Sequence, residues 1–403
     1  MGPDWVWKLQ FLNQVVNFLA RALLAHRQCP PTIGLNITMK KQRLLSTLCS
    51  GLFICLLSSA HASSPRPLIF DTDMAIDDWS ALLVLAMHEE LELLAVTSNG
   101  AGETRCAPAM KNIAALLDLT PSGDVLIACG DDYPMDGYFA FPEPWREQAD
   151  TLSGVPLPGS TRTASEKHAV DVIHTSLADS NAKVVIVATG SLTNIAQWLE
   201  KYPGDTDRVQ RLVIMGGAFA VPGNIIVPGF TDNHPNTKAE WNIFVDPEAA
   251  ARVFASGLPI EVVGLDVTNQ VKVTKEFARE FKATAKTPAA QFWDAVLDDN
   301  DWFIESGEYY FWDVLAALVA LDPTFCTGEM EPVTVSLEAG SPWQPSSLRS
   351  IPNTTYRGAG RRHLNAGKSG ITRIGGNNPP VKICRETDAA RAFTLFTRTL
   401  NRS

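Results

Sequence analysis

From Pro67 onward, short apolar runs alternate with helical patterns. The runs PLIFD, LELLAVTSN, DVLIACG, KVVIVATG, RLVIMGG and IEVVGLDV have strand length and strand composition. Between them, a helix is predicted from Asp77, another over Ala107 to Leu117, and a third over LTNIAQWLEKY. Such alternation predicts an α/β fold with an open, mostly parallel, doubly wound sheet flanked by helices. The runs end in Asp, Thr, Asn or Gly, as in IFDTD, VTSNG, VATGS and IMGGA. In open α/β sheets the ligand crevice lies at those carboxyl ends, so these polar residues are expected to converge.

The pattern is less regular beyond this. A loop is expected from Ala218 to Lys238, then helical segments over Lys275 to Ala285 and Pro288 to Leu297, and a helix starting near Asp313. Residues 332 to 384 read as short strands and loops rich in Gly, Pro, Ser and Asn, before a closing helix from Asp388 to about Leu400. This small C-terminal strand and helix region shows no linker, so residues 66–400 are expected to form a single domain.

The beginning of the chain reads differently. Met39 opens MKKQRLLSTLCSGLFICLLSSAHA, a basic start, an apolar run and small residues at Ala60 and Ala62. This is the form of a secretory signal peptide over residues 39–62, with cleavage expected after Ala62 and a periplasmic or secreted destination. The apolar stretch Leu44 to Leu57 is short for a membrane span, although an uncleaved anchor is the alternative. Residues 1–38 are expected to be an artefact of start assignment or an unstructured extension.

The composition, 45% hydrophobic and 19% charged, is that of an ordinary globular protein. The formal charge of −10 becomes more negative once the basic leader is removed, which disfavours nucleic acid polymers and anionic membranes as partners. Four cysteines follow the leader: Cys106, Cys129, Cys326 and Cys384. None has metal-type C-x-x-C spacing, and disulfides are permitted in an oxidising compartment, with Cys326 and Cys384 as a candidate pair.

The run DTDMAIDD places Asp71, Asp73, Asp77 and Asp78 where a buried strand gives way to a helix. Helix capping accounts for one or two carboxylates in a first turn, but not for four. Crowded carboxylates raise one another's pKa unless a cation sits among them, and hard oxygen ligands favour calcium or magnesium. A haloacid-dehalogenase-type phosphatase would carry D-x-D-x-T/V here, and Ala75 departs from that pattern.

D-x-D-x-x-x-D-D after the first strand resembles the signature of the inosine-uridine-preferring nucleoside hydrolases. Further blocks are similar and in order: ATGSLTNIA at Ala188 to Ala196, VIMGGA at Val213 to Ala218, PGN at Pro222 to Asn224, AEWNIFVDPEAA at Ala239 to Ala250, and WDVLAALVALDP at Trp312 to Pro323. The resemblance implies calcium-dependent hydrolysis of the N-glycosidic bond of ribonucleosides, giving free base and ribose. It implies calcium ligands at Asp73, Asp78, the carbonyl of Thr189 and Asp313, with Asp73 also the general base. Asp77, Asn224, Glu240 and Asn242 would hold the ribose, and Asp71 would brace the cluster. Glu240 and Asn242 also suit a plain polar helix start.

Two departures from the family pattern matter. Many members carry His before the last calcium-ligand Asp, whereas this chain has Trp312, as in the purine-preferring branch that sandwiches the base between two Trp rings. Trp145 is the candidate second ring, with Tyr138, Phe139 and Phe141 as alternatives, and a core or lid role for Trp145 is equally open. Of the histidines after the leader, only His234 lies near the sugar-binding segments. VTSNGAGE also leaves open whether Asn99 supplies a family amide or Gly102 replaces it. The expected activity is therefore purine nucleoside hydrolysis, with a homo-oligomer compatible with the family. A non-catalytic periplasmic protein that binds nucleosides or calcium is the competing reading.

Overall fold

The computed structural model describes residues 64–135, 140–339 and 364–402. The expected signal peptide at residues 39–62, the upstream residues 1–38, Tyr138, Phe139 and His363 lie outside the described residues. Among the described residues, no helix is long and apolar enough to cross a membrane.

Among the described residues, nine strands form one sheet: β1 (Arg66–Thr72), β2 (Leu91–Ser98), β3 (Leu126–Cys129), β4 (Val184–Ala188), β5 (Val209–Met215), β6 (Ile260–Val263), β7 (Thr327–Val335), β8 (Thr372–Ile374) and β9 (Pro380–Glu386). Their order is β3-β2-β1-β4-β5-β6-β9-β7-β8. Pairing is parallel from β3 through β6 to β9, and β7 pairs antiparallel with both β9 and β8. The C-terminal strands thus extend the main sheet. Between β1 and β4 the winding reverses, which opens a crevice at the carboxyl ends of those two strands.

The apolar runs are continuous because both faces are covered. Leu68 and Phe70 face one core and Ile69 the other; Val185 and Val187 oppose Val184 and Ile186 in the same way. Helices Ile76–Met87, Pro288–Asp299, Trp312–Leu321 and Ala389–Leu400 bury apolar residues in the first core. Helices Ala169–Asp179, Thr193–Lys201 and Pro247–Phe254 do so in the second. Helix Trp312–Leu321 packs along Ile76–Met87, and this brings a late segment of the chain beside the first strand-helix junction.

Several local expectations shift. The run IEVVGLDV ends as a strand at Val263, and Leu265–Thr268 is a helical turn whose Asp266 carboxylate accepts from the backbone N–H groups of Phe219 and Ala220. Strand β7 begins at Thr327, ahead of residue 332, and its first residues are exposed, so no apolar signal marks them. Helix Glu143–Asp150 is polar apart from Trp145 and Ala149 and has no strong sequence signature. Cys326 pairs with Cys384, as the candidate pair suggested, and Cys106 pairs with Cys129.

Candidate active site

The acidic run turns sharply as it leaves β1. Met74 adopts φ 57°, a left-handed conformation that costs a non-glycine residue about 1 kcal/mol. Three hydrogen bonds hold it: Met74 N–H donates to Thr72 Oγ1 (2.9 Å), and its carbonyl accepts from Trp79 Nε1 (2.7 Å) and Thr104 Oγ1 (2.8 Å). The turn lets the helix start immediately and puts Asp77 and Asp78 in its first turn.

Each carboxylate has its own environment. Asp71 accepts from Thr97 Oγ1 (2.6 Å) and Asn194 Nδ2 (2.8 Å), behind the turn. Asp73 accepts at Oδ2 from the Glu103 N–H (3.0 Å), and its carbonyl accepts from the Thr104 N–H. Asp78 accepts from Thr189 Oγ1 (2.6 Å), from the Ala75 N–H (2.9 Å) and from Thr72 Oγ1. Capping therefore explains one role of Asp78 and leaves the other three carboxylates unexplained.

Helix Trp312–Leu321 delivers Asp313 to the same place. Carboxylate oxygens of Asp77, Asp78 and Asp313 lie within 4.8 Å of one another, and Asp313 Oδ1 is buried without a hydrogen-bond partner. Asp73 also reaches Asp78. This trio contains Asp77, which was expected to hold the ribose, while Asp73 joins the cluster through its hydrogen bond to Asp78. Burial first, and then the neighbouring carboxylates, push Asp78 and Asp313 well above the usual range. Burial is also the main cause for Asp73, which is raised, and for Asp77, pushed up to about 7. Acids this close need protons or a cation between them, and an all-oxygen set with an unsatisfied buried carboxylate fits a hard divalent ion.

The ribose-side candidates arrive from β4, β5 and the helix Trp241–Val245. Asn242 Nδ2 donates to the Thr189 carbonyl (2.9 Å) and to the Met215 carbonyl (3.2 Å). Glu240 caps its helix and accepts from the N–H groups of Gly217, Asn242 and Ile243, so the polar helix start and the cavity position coexist in one residue. Burial holds its carboxyl at about 7. Asn224 Oδ1 accepts from the Trp241 N–H (3.1 Å) and pins the preceding loop.

All of these residues line one cavity of about 720 Å³: Asp73, Asp77, Asp78, Thr189, Asn224, Glu240, Asn242 and Asp313, together with Trp145 and Trp312. One wall is aromatic through Trp145, Phe141, Trp241 and Phe230, with Trp145 edge-on to Trp241 at 5.8 Å and to Phe230 at 5.3 Å. Trp312, Phe303 and Tyr310 form a second aromatic group, with Trp312 5.6 Å from Tyr310 and 6.0 Å from Phe303.

No histidine among the described residues lines the cavity. His234 is buried elsewhere, edge-on to Phe244, with Nδ1 accepting from the Asn236 N–H, and burial lowers it to about 4. Asn99 is spent on Ser191 and the Ala101 N–H, away from the cavity. Sequence reasoning missed Glu103, Gln148, Trp241 and Asn300, all of which line it. Trp241 stood inside a matched block, whereas the other three carry no motif.

Residues 68–394 match the profile of the inosine-uridine preferring nucleoside hydrolases. Uridine nucleosidase 1 of Arabidopsis thaliana is 32% identical over 243 residues, 60% of this chain and 69% of the relative. A pyrimidine-specific ribonucleoside hydrolase RihA of a Shewanella strain is 34% identical over 233 residues, 58% of this chain and 69% of the relative. The fold is similar to the inosine-uridine preferring nucleoside hydrolase of Bacillus anthracis (TM-score 0.65, 24% identity, 83% of this chain and 99% of the other). It is also similar to a purine-preferring ribonucleoside hydrolase of Gardnerella vaginalis (TM-score 0.63, 24% identity, 83% and 98%). With its acidic junction, its late aspartate and its matched profile, this chain belongs to the inosine-uridine preferring nucleoside hydrolase family.

Proposed function

We propose that the protein is an exported, calcium-dependent purine ribonucleoside hydrolase. The observation that carries this reading is the joining, in one cavity, of buried carboxylates with aromatic side chains from separate parts of the chain. Calcium, held by Asp73, Asp78, Asp313 and the Thr189 carbonyl, would supply a Lewis acid that binds ribose hydroxyls and lowers the pKa of a bound water. Asp73 is the general base: it takes the proton of the water that attacks the anomeric carbon as the C–N bond breaks. Asp77, Asn224, Glu240 and Asn242 hold the sugar, and the acidic surroundings favour the cationic character that develops on it. The departing base takes the bonding electrons. Stacking on Trp312 and Trp145 favours a base protonated at its ring, which promotes departure without a histidine.

Purine preference is supported by Trp312 in place of histidine and by two aromatic groups in the cavity. Two of the named relatives, a uridine nucleosidase and a pyrimidine-specific hydrolase, favour a second reading, pyrimidine nucleosides. A non-catalytic binding protein would keep the metal and sugar contacts, Asp73 among them, but release no ribose, which a ribose-release assay distinguishes. The leader at residues 39–62 and two disulfides support export to an oxidising compartment.

The test is release of free ribose from adenosine, inosine, guanosine, uridine and cytidine, with calcium and with a chelator. Purines are expected to be cleaved fastest, and only with calcium. No ribose from any nucleoside would exclude the activity. Asp73→Ala is expected to abolish turnover and weaken calcium binding.

A further inference from the structure

We propose that Gln148 reads the edge of the nucleobase, its side-chain carbonyl accepting a hydrogen bond from a base N–H. The inference rests on the nucleoside reading of the cavity and adds to it a residue that selects among bases.

Gln148 and Asn300 both line the cavity. Gln148 stands three residues after Trp145 on helix Glu143–Asp150, so the two side chains share a helix face. Asn300 immediately precedes helix Asp301–Ser306, which carries Phe303 of the Trp312 aromatic group.

The hydrogen bonds form a relay that decides which way each amide points. The Val296 carbonyl can only accept, so Asn300 turns Nδ2 to it (2.8 Å). Asn300 Oδ1 is thereby directed at Gln148, which must answer with Nε2 (2.6 Å), and the same Nε2 reaches Ser153 Oγ (3.1 Å). Ser153 Oγ in turn lies 3.4 Å from Asn300 Oδ1. Gln148 Oε1 is the end left over, with no hydrogen-bond partner among the described residues. An acceptor held in fixed orientation on a cavity wall shared with Trp145 selects a stacked heterocycle that carries an N–H at its edge. Hypoxanthine and guanine offer a ring N–H, and adenine an exocyclic amine.

The experiment compares inosine, with its ring N–H, and purine riboside, which has the same sugar and no donor on the six-membered ring, on the calcium-loaded protein and on Gln148→Met. The variant is expected to lose roughly tenfold more in kcat/KM on inosine than on purine riboside, mainly through KM. Equal losses on both would make Gln148 a strut between helices and overturn the proposal, as would no loss on either. If Gln148→Met fails to fold, inosine against 1-methylinosine on the unaltered protein decides: a rise in KM of roughly tenfold supports the proposal, and an unchanged KM overturns it. If the unaltered protein cleaves none of these, the purine nucleoside reading fails and Gln148's role falls with it. Turnover of both substrates without a differential loss overturns the Gln148 proposal alone.

Discussion

Asp73 is held by absence as much as by contact. A Cβ on Gly102 would lie 2.1 Å from Asp73 Cβ, and one on Gly190 would lie 2.7 Å from the same atom. Neither position can carry a side chain unless Asp73 moves, and small displacements of the group proposed as general base would be costly. Gly102→Ala is expected to lower kcat by about 10²-fold or more in a ribose-release assay, with the protein still folded by circular dichroism. Thr72 has an equally specific task, because its hydroxyl joins the left-handed Met74 to Asp78. Thr72→Val leaves the buried Met74 N–H unpaired and removes one of the hydrogen bonds to Asp78, and is expected to cost about 1–3 kcal/mol in denaturant unfolding. The four aspartates of the junction were legible in the sequence because they crowd into one short run. Asp313 was legible only through its matched block, since a residue so distant along the chain has no local pattern to join. Glu103, Gln148 and Asn300 were not legible at all: a single polar side chain in a polar stretch reads as surface until the fold turns it inward.

At the level of elements, helix Glu143–Asp150 is clamped to the loop that supports Asp73. Arg146 donates to the carbonyls of Gly100 (2.7 Å) and Glu103 (3.2 Å), and Arg105 pairs with Glu143 and Asp150. One short helix thus links the Trp145 wall to the Asp73 hydrogen bonds. The Cys106–Cys129 bridge ties the next turn of chain to the end of β3. Replacing both cysteines by serine is expected to cost about 3 kcal/mol in unfolding free energy, the usual value for a loop of this order. The carboxylate cluster sets a second expectation. Asp71 and Asp77 hold protons more tightly in the folded chain, at about 7 against 3.8. The folded state then binds more protons between those values, so the melting temperature of the chelated protein is expected to rise as pH falls from above 7 toward 4. Calcium should flatten that dependence, which parallel thermal melts would reveal. The buried parallel strands were readable from their apolar runs. Helix Glu143–Asp150 and the start of β7 were not, because exposed elements are stabilised by tertiary contacts and carry little hydrophobic periodicity.

At the scale of the molecule, the cavity lies where the sheet reverses its winding, between β1 and β4. The alternation of strands and helices foretold a doubly wound sheet, but not that β7, β8 and β9 would extend it, because a weak C-terminal pattern does not specify its pairing partner. Trp145 and Trp312 come from distant segments, and each belongs to its own aromatic group. Trp312→Ala is therefore expected to reduce kcat/KM for inosine at least tenfold more than for uridine, because a purine presents the larger stacking face. Equal losses in that comparison would remove the basis for the purine assignment.

Helix Trp312–Leu321, packed along Ile76–Met87, also imposes an order on the birth of the enzyme. The first strand and its aspartates are made early, whereas Asp313 emerges after most of the sheet has been synthesised. Until then the early carboxylates lack Asp313 beside them, the carboxylate proposed as the last protein ligand of the ion. With the ion held as proposed, its capture is a closing event in maturation, and a shortened chain ending before Asp313 is expected to show no ribose release. Nonsense products and proteolytic fragments of that kind should be inert, not merely weakened.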